Sequence, residues 1–162
     1  MPGRGAAVRA GKAGLRRLPP ATSYLAIYRA SPMERISMIK QGVRAADAKH
    51  VITDLAIAQG AALKALNLSQ ATVNRKAKQG QALSPDESER IIGLARLVGQ
   101  VQAIVQESGD AQGFDATAWM SRWLNEPLPA LGGKRPIDLM DTMEGQRMVS
   151  TALAQVQSGA YA

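Results

Sequence analysis

The residues best suited to chemistry lie in one short stretch, "GAALKALNLSQATVNRKAKQG", residues 60–80. A helix opened by Ser69 presents Gln70, Asn74, Arg75 and Lys78 on its outer side. Amides pair with adenine edges, a guanidinium with guanine, and an ammonium with phosphate, so this row suits the reading of nucleic acid. Catalysis has no comparable support. The chain has one histidine (His50), no cysteine and no visible nucleophile–base pair, and Asp138 and Asp141 lack a metal-ligand constellation. We expect no enzyme, no cofactor and no metal.

A row of this kind must be held by a second helix across a tight turn. Leu66 ends a short helix, and Asn67 tolerates the left-handed backbone of the turn. Leu68 plugs the angle between the helices, Ser69 caps the second one, and Val73 and Ala77 face inward. The pattern is that of a DNA-binding helix-turn-helix, with Ser69, Gln70, Asn74, Arg75 and Lys78 as candidate DNA contacts. It departs from the usual form at Leu63, where a small residue is common, and at Lys76, where an apolar one is. A generic helical hairpin with a polar face is the alternative.

A second stretch, "LPALGGKRPIDLM" at 128–140, raises the question of a phosphate-binding loop. That loop needs a glycine five residues before the Gly-Lys pair and Ser or Thr after the lysine; Leu128 and Arg135 stand there instead. A turn fits better. Gly132 and Gly133 permit positive φ, Pro136 opens a further helical turn, and Asp138 is placed to bond nearby backbone amides. Upstream, Trp119 and Trp123 stand four apart on one helix face, either closing a small core or anchoring an interface.

The elements around these stretches read as helices throughout. Ser31-Pro32-Met33-Glu34 and Ser84-Pro85-Asp86-Glu87 are capping boxes with proline at the first helical position, and Asp141-Thr142-Met143-Glu144 is a third, weaker one. Gly42, Gly80, Gly109 and Gly159 sit where helices would stop. The spacing predicts helices over 32–41, 45–57, 60–66, 70–79, 85–107, 115–125 and 143–157. In the longest, Ile91, Leu94, Ala95, Val98, Val101 and Val105 recur at spacings of three and four, one buried stripe. No segment alternates like a strand. Aromatics are only 4%, so Leu, Ile, Val, Ala and Met must build the core. The expected fold is all-α, in two helical subdomains.

Charge divides the chain. The net +7 is the balance of +6 over residues 1–30, +5 over 31–83 and −4 over 84–162, which suggests two surfaces with different partners, the basic one suited to nucleic acid. Residues 1–30 read as a basic segment expected to be disordered, above all over the Gly-, Pro- and Arg-rich residues 1–20, while Tyr24, Leu25, Ile27 and Tyr28 leave docking on the domain as the alternative for 21–30. No apolar run approaches the roughly 20 residues of a membrane span, the N-terminus lacks the apolar region of a signal peptide, and a cytoplasmic location is expected.

The back half, "WLNEPLPALGGKRPIDLMDTMEGQRMVSTALAQVQSGAYA", closely resembles the toxin-binding domain of Xre/MbcA/ParS-type antitoxins. Trp123-Leu124, Leu131-Gly132-Gly133, Pro136-Ile137-Asp138-Leu139, Gly145, Val149, Leu153, Gly159 and Tyr161-Ala162 carry the likeness, with Lys134 where arginine is more usual and Ala160 where a larger residue is common. The front half, including "LSPDESERIIGLARL" at 83–97, is similar to the helix-turn-helix of the same proteins. The resemblance implies an Xre-like domain at 31–107 and a small toxin-binding domain at 108–162. It implies a type II antitoxin that pairs with a RES-domain, NAD⁺-degrading toxin and represses its own operon. Because a single helix-turn-helix buries too little DNA surface for strong specificity, a homodimer within a hetero-oligomeric complex is expected, and neutralisation is expected by covering the toxin's active site. Trp123, Leu131, Gly132, Gly133, Lys134, Arg135 and the tail Ser158, Gly159, Ala160, Tyr161 and Ala162 become candidate toxin contacts. Within the tail, Tyr161 either enters the toxin cleft or folds back on Trp119 or Trp123. A stand-alone helix-turn-helix regulator is the competing reading; it leaves the acidic back half unexplained.

Overall fold

The computed structural model describes residues 23–109 and 111–157. Eight α-helices follow one another there: α1 (Tyr24–Arg29), α2 (Pro32–Gln41), α3 (Ala45–Asp54), α4 (Gln59–Ala65), α5 (Gln70–Lys78), α6 (Pro85–Glu107), α7 (Ala116–Leu124) and α8 (Met143–Gln157). Two 3₁₀ turns, Pro129–Leu131 and Pro136–Leu139, lie between α7 and α8. Among the described residues there is no strand, only isolated bridges at Arg44–Ala82 and Leu128–Lys134. The all-α expectation holds.

Local signals start most helices where the sequence places them. The Ser31 and Ser84 hydroxyls accept the backbone N–H groups of Glu34 and Glu87, and both glutamates reach back to the cap amide. The third of these helices starts at Met143 as expected, but its cap is shifted by one residue. Thr142, not Asp141, opens α8, its hydroxyl accepting the Gly145 N–H at 3.0 Å. The helix expected over 45–57 stops at Asp54, because Ala56 turns to φ 52°.

Helix α6 organises the rest. Its buried residues lie on more than one side, so it is a central helix with neighbours around it. The core is a single cluster running from Tyr24 and Ile27 through Leu63 and Val73 to Trp123, Met140 and Leu153. The two expected subdomains therefore share one hydrophobic interior, and α6 belongs to both.

Residues 24–29 take the docked alternative and correct the expectation of a disordered segment reaching residue 30; residues 1–22 lie outside the described part. Helix α1 is built by burial of Tyr24 and Ile27 against α6. The Tyr24 hydroxyl donates to Asp54 Oδ2 at 2.6 Å, and burial together with that carboxylate pushes the phenol pKa up. Arg35 donates to the carbonyls of Ile27, Tyr28 and Ala30, covering the open end of the helix. The close approach depends on Gly99: a Cβ there would lie 2.1 Å from the Tyr24 carbonyl oxygen.

Gly99→Ala poses two opposed effects. Alanine gains about 1 kcal/mol of helix propensity. The clash is with backbone and must push α1 off α6, an overpacking cost of about 1–3 kcal/mol. The expected outcome is net destabilisation, read as a lower urea midpoint in the full chain.

Candidate DNA-reading and partner-binding surfaces

The turn between α4 and α5 has the geometry that DNA-reading helices use. Asn67 adopts φ 53°, Leu68 is 7% exposed, and the Leu68 N–H donates to the Leu63 carbonyl at 2.8 Å. Leu63, larger than the usual residue at its position, is fully taken into the core. The Ser69 hydroxyl accepts the Thr72 N–H, which fixes the start of α5, and Val73 faces the interior. The turn is clamped from behind, because Arg90 on α6 donates to the Asn67 carbonyl at 3.1 Å while pairing with Asp86 at 2.8 Å.

On the outer side, Ser69, Gln70, Arg75 and Lys78 are exposed. Asn74 is half-buried, its Oδ1 accepting Gln59 Nε2 at 2.8 Å. A bidentate contact of Asn74 with adenine would have to share that oxygen, whereas Gln70 and Arg75 are exposed. Gln59 is a residue the sequence reading missed; its partnership crosses the turn, and no local spacing announces it.

Lys76, the second departure from the usual pattern, also has a physical role. Its ammonium lies 3.0 Å from Glu87 Oε1, joining α5 to the cap of α6. Burial alone would raise the Glu87 carboxyl, but hydrogen bonds from Ser84 and Lys76 outweigh it and hold the group below its ordinary value.

In the back half the 128–134 loop closes on itself. The Leu128 N–H donates to the Lys134 carbonyl at 3.1 Å, and the Gly133 N–H donates to the Leu128 carbonyl at 2.9 Å. Gly132 and Gly133 stand at φ 67° and 80°, so the glycine pair forms a turn. Asp138 does not bond backbone amides as expected; both its oxygens are held at 2.9 Å by the Arg135 guanidinium, a fork matched to a carboxylate.

The candidate toxin contacts fall into two groups. Gly132, Gly133, Lys134 and Arg135 form an exposed rim. Trp123 and Leu131 are 6% and 5% exposed and support that rim from below. The Trp119 and Trp123 rings stack with centroids 5.8 Å apart, and Trp119 remains half-covered. Ser158, Gly159, Ala160, Tyr161 and Ala162 lie outside the described residues. Sequence reading also missed a groove of about 320 Å³ between the first 3₁₀ turn and α8, lined by Ala130, Leu131, Met148 and Ala152 together with the polar Glu144, Arg147, Thr151 and Gln155. Met148 on its edge is 46% exposed.

His50 is exposed on α3. Among the described residues no group of three His, Cys, Asp or Glu could hold a metal ion, and no helix is long and apolar enough to cross a membrane.

Comparison with known proteins fits this geometry. Residues 34–96 match the antitoxin Xre-like helix-turn-helix domain, and residues 109–159 match the antitoxin Xre/MbcA/ParS C-terminal toxin-binding domain. A protein of Sphingobium sp. named "Prs ADP-ribosylating antitoxin" is 58% identical over 143 residues, covering 88% of this chain and 90% of that protein. Two proteins named "Antitoxin Xre" are more distant. The one from Yersinia enterocolitica is 25% identical over 88% of this chain and 95% of its own length. The one from Pseudomonas putida is 27% identical over 54% of this chain and 50% of its own length. The chain belongs to the Xre/MbcA/ParS antitoxin family, and it joins a helix-turn-helix domain to a toxin-binding domain.

The Lys76–Glu87 bridge yields a pH prediction. A carboxyl whose folded-state pKa is depressed contributes stability above its unfolded pKa of about 4.3, and that contribution is lost as pH falls through the lower folded value. Glu87→Gln should lower the melting temperature at pH 7 and flatten its decline on acidification. A variant that loses stability by the same amount at pH 7 and pH 3 would contradict the assignment.

Proposed function

We propose that the chain neutralises a RES-domain toxin that consumes NAD⁺, by covering its active site, and represses its own operon as a homodimer on operator DNA in the cytoplasm. The observation that carries this reading is the placement of two uncovered, chemically different faces on one core. One is the amide and basic row of α5; the other is the groove of mixed polar and apolar lining, with the glycine rim, beside α8.

On the DNA side, Gln70 and Arg75 face base edges and Lys78 faces phosphate. The Ser69 oxygen is committed to the helix cap, but its hydroxyl proton is available to a phosphate oxygen. On the toxin side, Met148 seats in the partner, while Gly132 and Gly133 let backbone approach closely. The tail, residues 158–162, follows directly on α8. An apolar ring with one polar tip, as in Tyr161, suits a nucleotide cleft, and there it would exclude NAD⁺. The words "ADP-ribosylating" in the name of the Sphingobium relative favour one chemistry for this partner. ADP-ribosyl transfer breaks the nicotinamide–ribose bond of NAD⁺ and passes ADP-ribose to an acceptor, so it consumes the dinucleotide as hydrolysis does.

The two faces should fail separately. Arg75→Ala should weaken operator binding by about 1–3 kcal/mol in a mobility-shift titration and leave toxin capture intact; equal loss on random DNA would make Arg75 a backbone contact. Met148→Asp should cost about 2 kcal/mol or more in capture of the toxin encoded beside this gene, with operator binding kept. Deleting residues 158–162 should abolish growth rescue while helicity and operator binding persist. Full rescue by the truncated chain would move inhibition to the glycine rim and the groove.

A further inference from the structure

Helix α2 is the one described α-helix without a buried residue. Its inner side is occupied: Arg35 covers the carbonyl end of α1, and Met38 and Ile39 lean half-buried on the core. Its outer side carries Met33, Ile36, Ser37, Lys40 and Gln41. Those positions follow the i, i+3, i+4, i+7, i+8 rule of a helix seam made to be covered. Met33 is 71% exposed and Ile36 41%, side by side on that seam. Lys40 makes no ion pair among the described residues.

We propose that this seam is a dimer interface, covered by α2 of a second copy packed antiparallel across a two-fold axis between Ile36 and Ser37. The inference rests on the reading of the chain as an operator-binding homodimer and names the surface that makes it one. Charge selects the occupant. Glu34 stands near the start of the seam and Lys40 near its end. Antiparallel packing sets each Lys40 beside the partner's Glu34, once on either side of the axis, as an isologous contact requires. Parallel packing would set lysine against lysine. A foreign partner of one charge sign would match one of the two residues and repel the other.

The apolar residues fit the same register. Each Met33 lies under the stem of the partner's Lys40, whose four methylenes cover it while the ammonium reaches the carboxylate. Each Ile36 faces the partner's Ser37, small enough for close helix approach. The Ser37 hydroxyl oxygen already accepts from Gln41 Nε2 at 3.3 Å and keeps that partner when covered.

Size sets the strength. The seam is about 12 Å long at 1.5 Å per residue, well short of the roughly 800 Å² per partner of a standard interface. The free dimer is therefore weak, and a palindromic operator strengthens it by holding two copies at high effective concentration.

The test is sedimentation equilibrium, with and without operator DNA, on the wild type, three variants, an equimolar mixture of two of them, and a chain lacking residues 1–22. The wild type should show a reversible monomer–dimer equilibrium, tighter with DNA. Ile36→Asp should raise the dimer dissociation constant at least about tenfold, with unchanged helicity and undiminished toxin capture. Lys40→Glu and Glu34→Lys should each weaken self-association, because each puts like charges together. Their equimolar mixture should associate again, because both contacts become complementary. The loss of the α2 cap in Glu34→Lys lowers stability but cannot produce that recovery. A wild type that stays monomeric even on operator DNA overturns both the dimer reading and this interface. A dimer indifferent to Ile36→Asp, or a mixture that does not recover, overturns the interface alone. A dimer that forms only once residues 1–22 are removed assigns the seam to that segment and overturns it too.

Discussion

The burial of α6 is the constraint from which the rest of the structure follows. Eleven of its 23 residues are buried, too many for a helix with a single inner stripe, so elements must cover it on several sides. Two of the eleven are polar, and each is satisfied by a different half of the chain. Ser88 accepts the Val43 N–H at 2.8 Å and donates to the Leu83 carbonyl, fixing the α2–α3 and α5–α6 connections. Gln100 donates to the Ser150 carbonyl at 3.0 Å and accepts the Ser150 hydroxyl at 2.8 Å, fixing α8. A buried amide or hydroxyl left unpaired would cost about 1–3 kcal/mol, so these bonds set position as well as stability.

Both working surfaces inherit their geometry from this helix. Arg90 and Glu87, on its first turns, hold the Asn67 turn and Lys76, and through them orient α5. Farther along, the α8 contact turns Met148, Thr151 and Gln155 toward the 128–134 loop. The second 3₁₀ turn also packs against α4, the first helix of the DNA-reading pair. The toxin-binding domain is thus seated on the helix-turn-helix domain, through a core they share.

Much of this was legible in the sequence because its signals are local. Ser-Pro-x-Glu starts a helix wherever it stands, Asn67 suits a left-handed turn, and Gly132-Gly133 suits a loop that closes on itself. The family motifs then identified the protein's class. What escaped was long-range. The docking of α1 requires Gly99, about seventy residues on, and looks locally like a helix-weakening glycine. Lys76 is locally a flaw in the pattern, but the fold sets Glu87 beside it, and Asn74 is locally a free amide, but the fold sets Gln59 on its oxygen. The α8 groove needs two elements brought together, and neither carries it alone. Asp138 went to the nearest guanidinium because a bidentate charged pair outcompetes neutral amides.

The central claim is that one core presents a toxin-binding face and a separate DNA-reading face. Hydrogen–deuterium exchange of the full chain, free and saturated with the toxin encoded beside it, tests this most directly. The account predicts new protection over residues 128–139 and along α8, with α5 exchanging as in the free chain. Protection concentrated on α5, or a complex that leaves 128–157 unchanged, would contradict it.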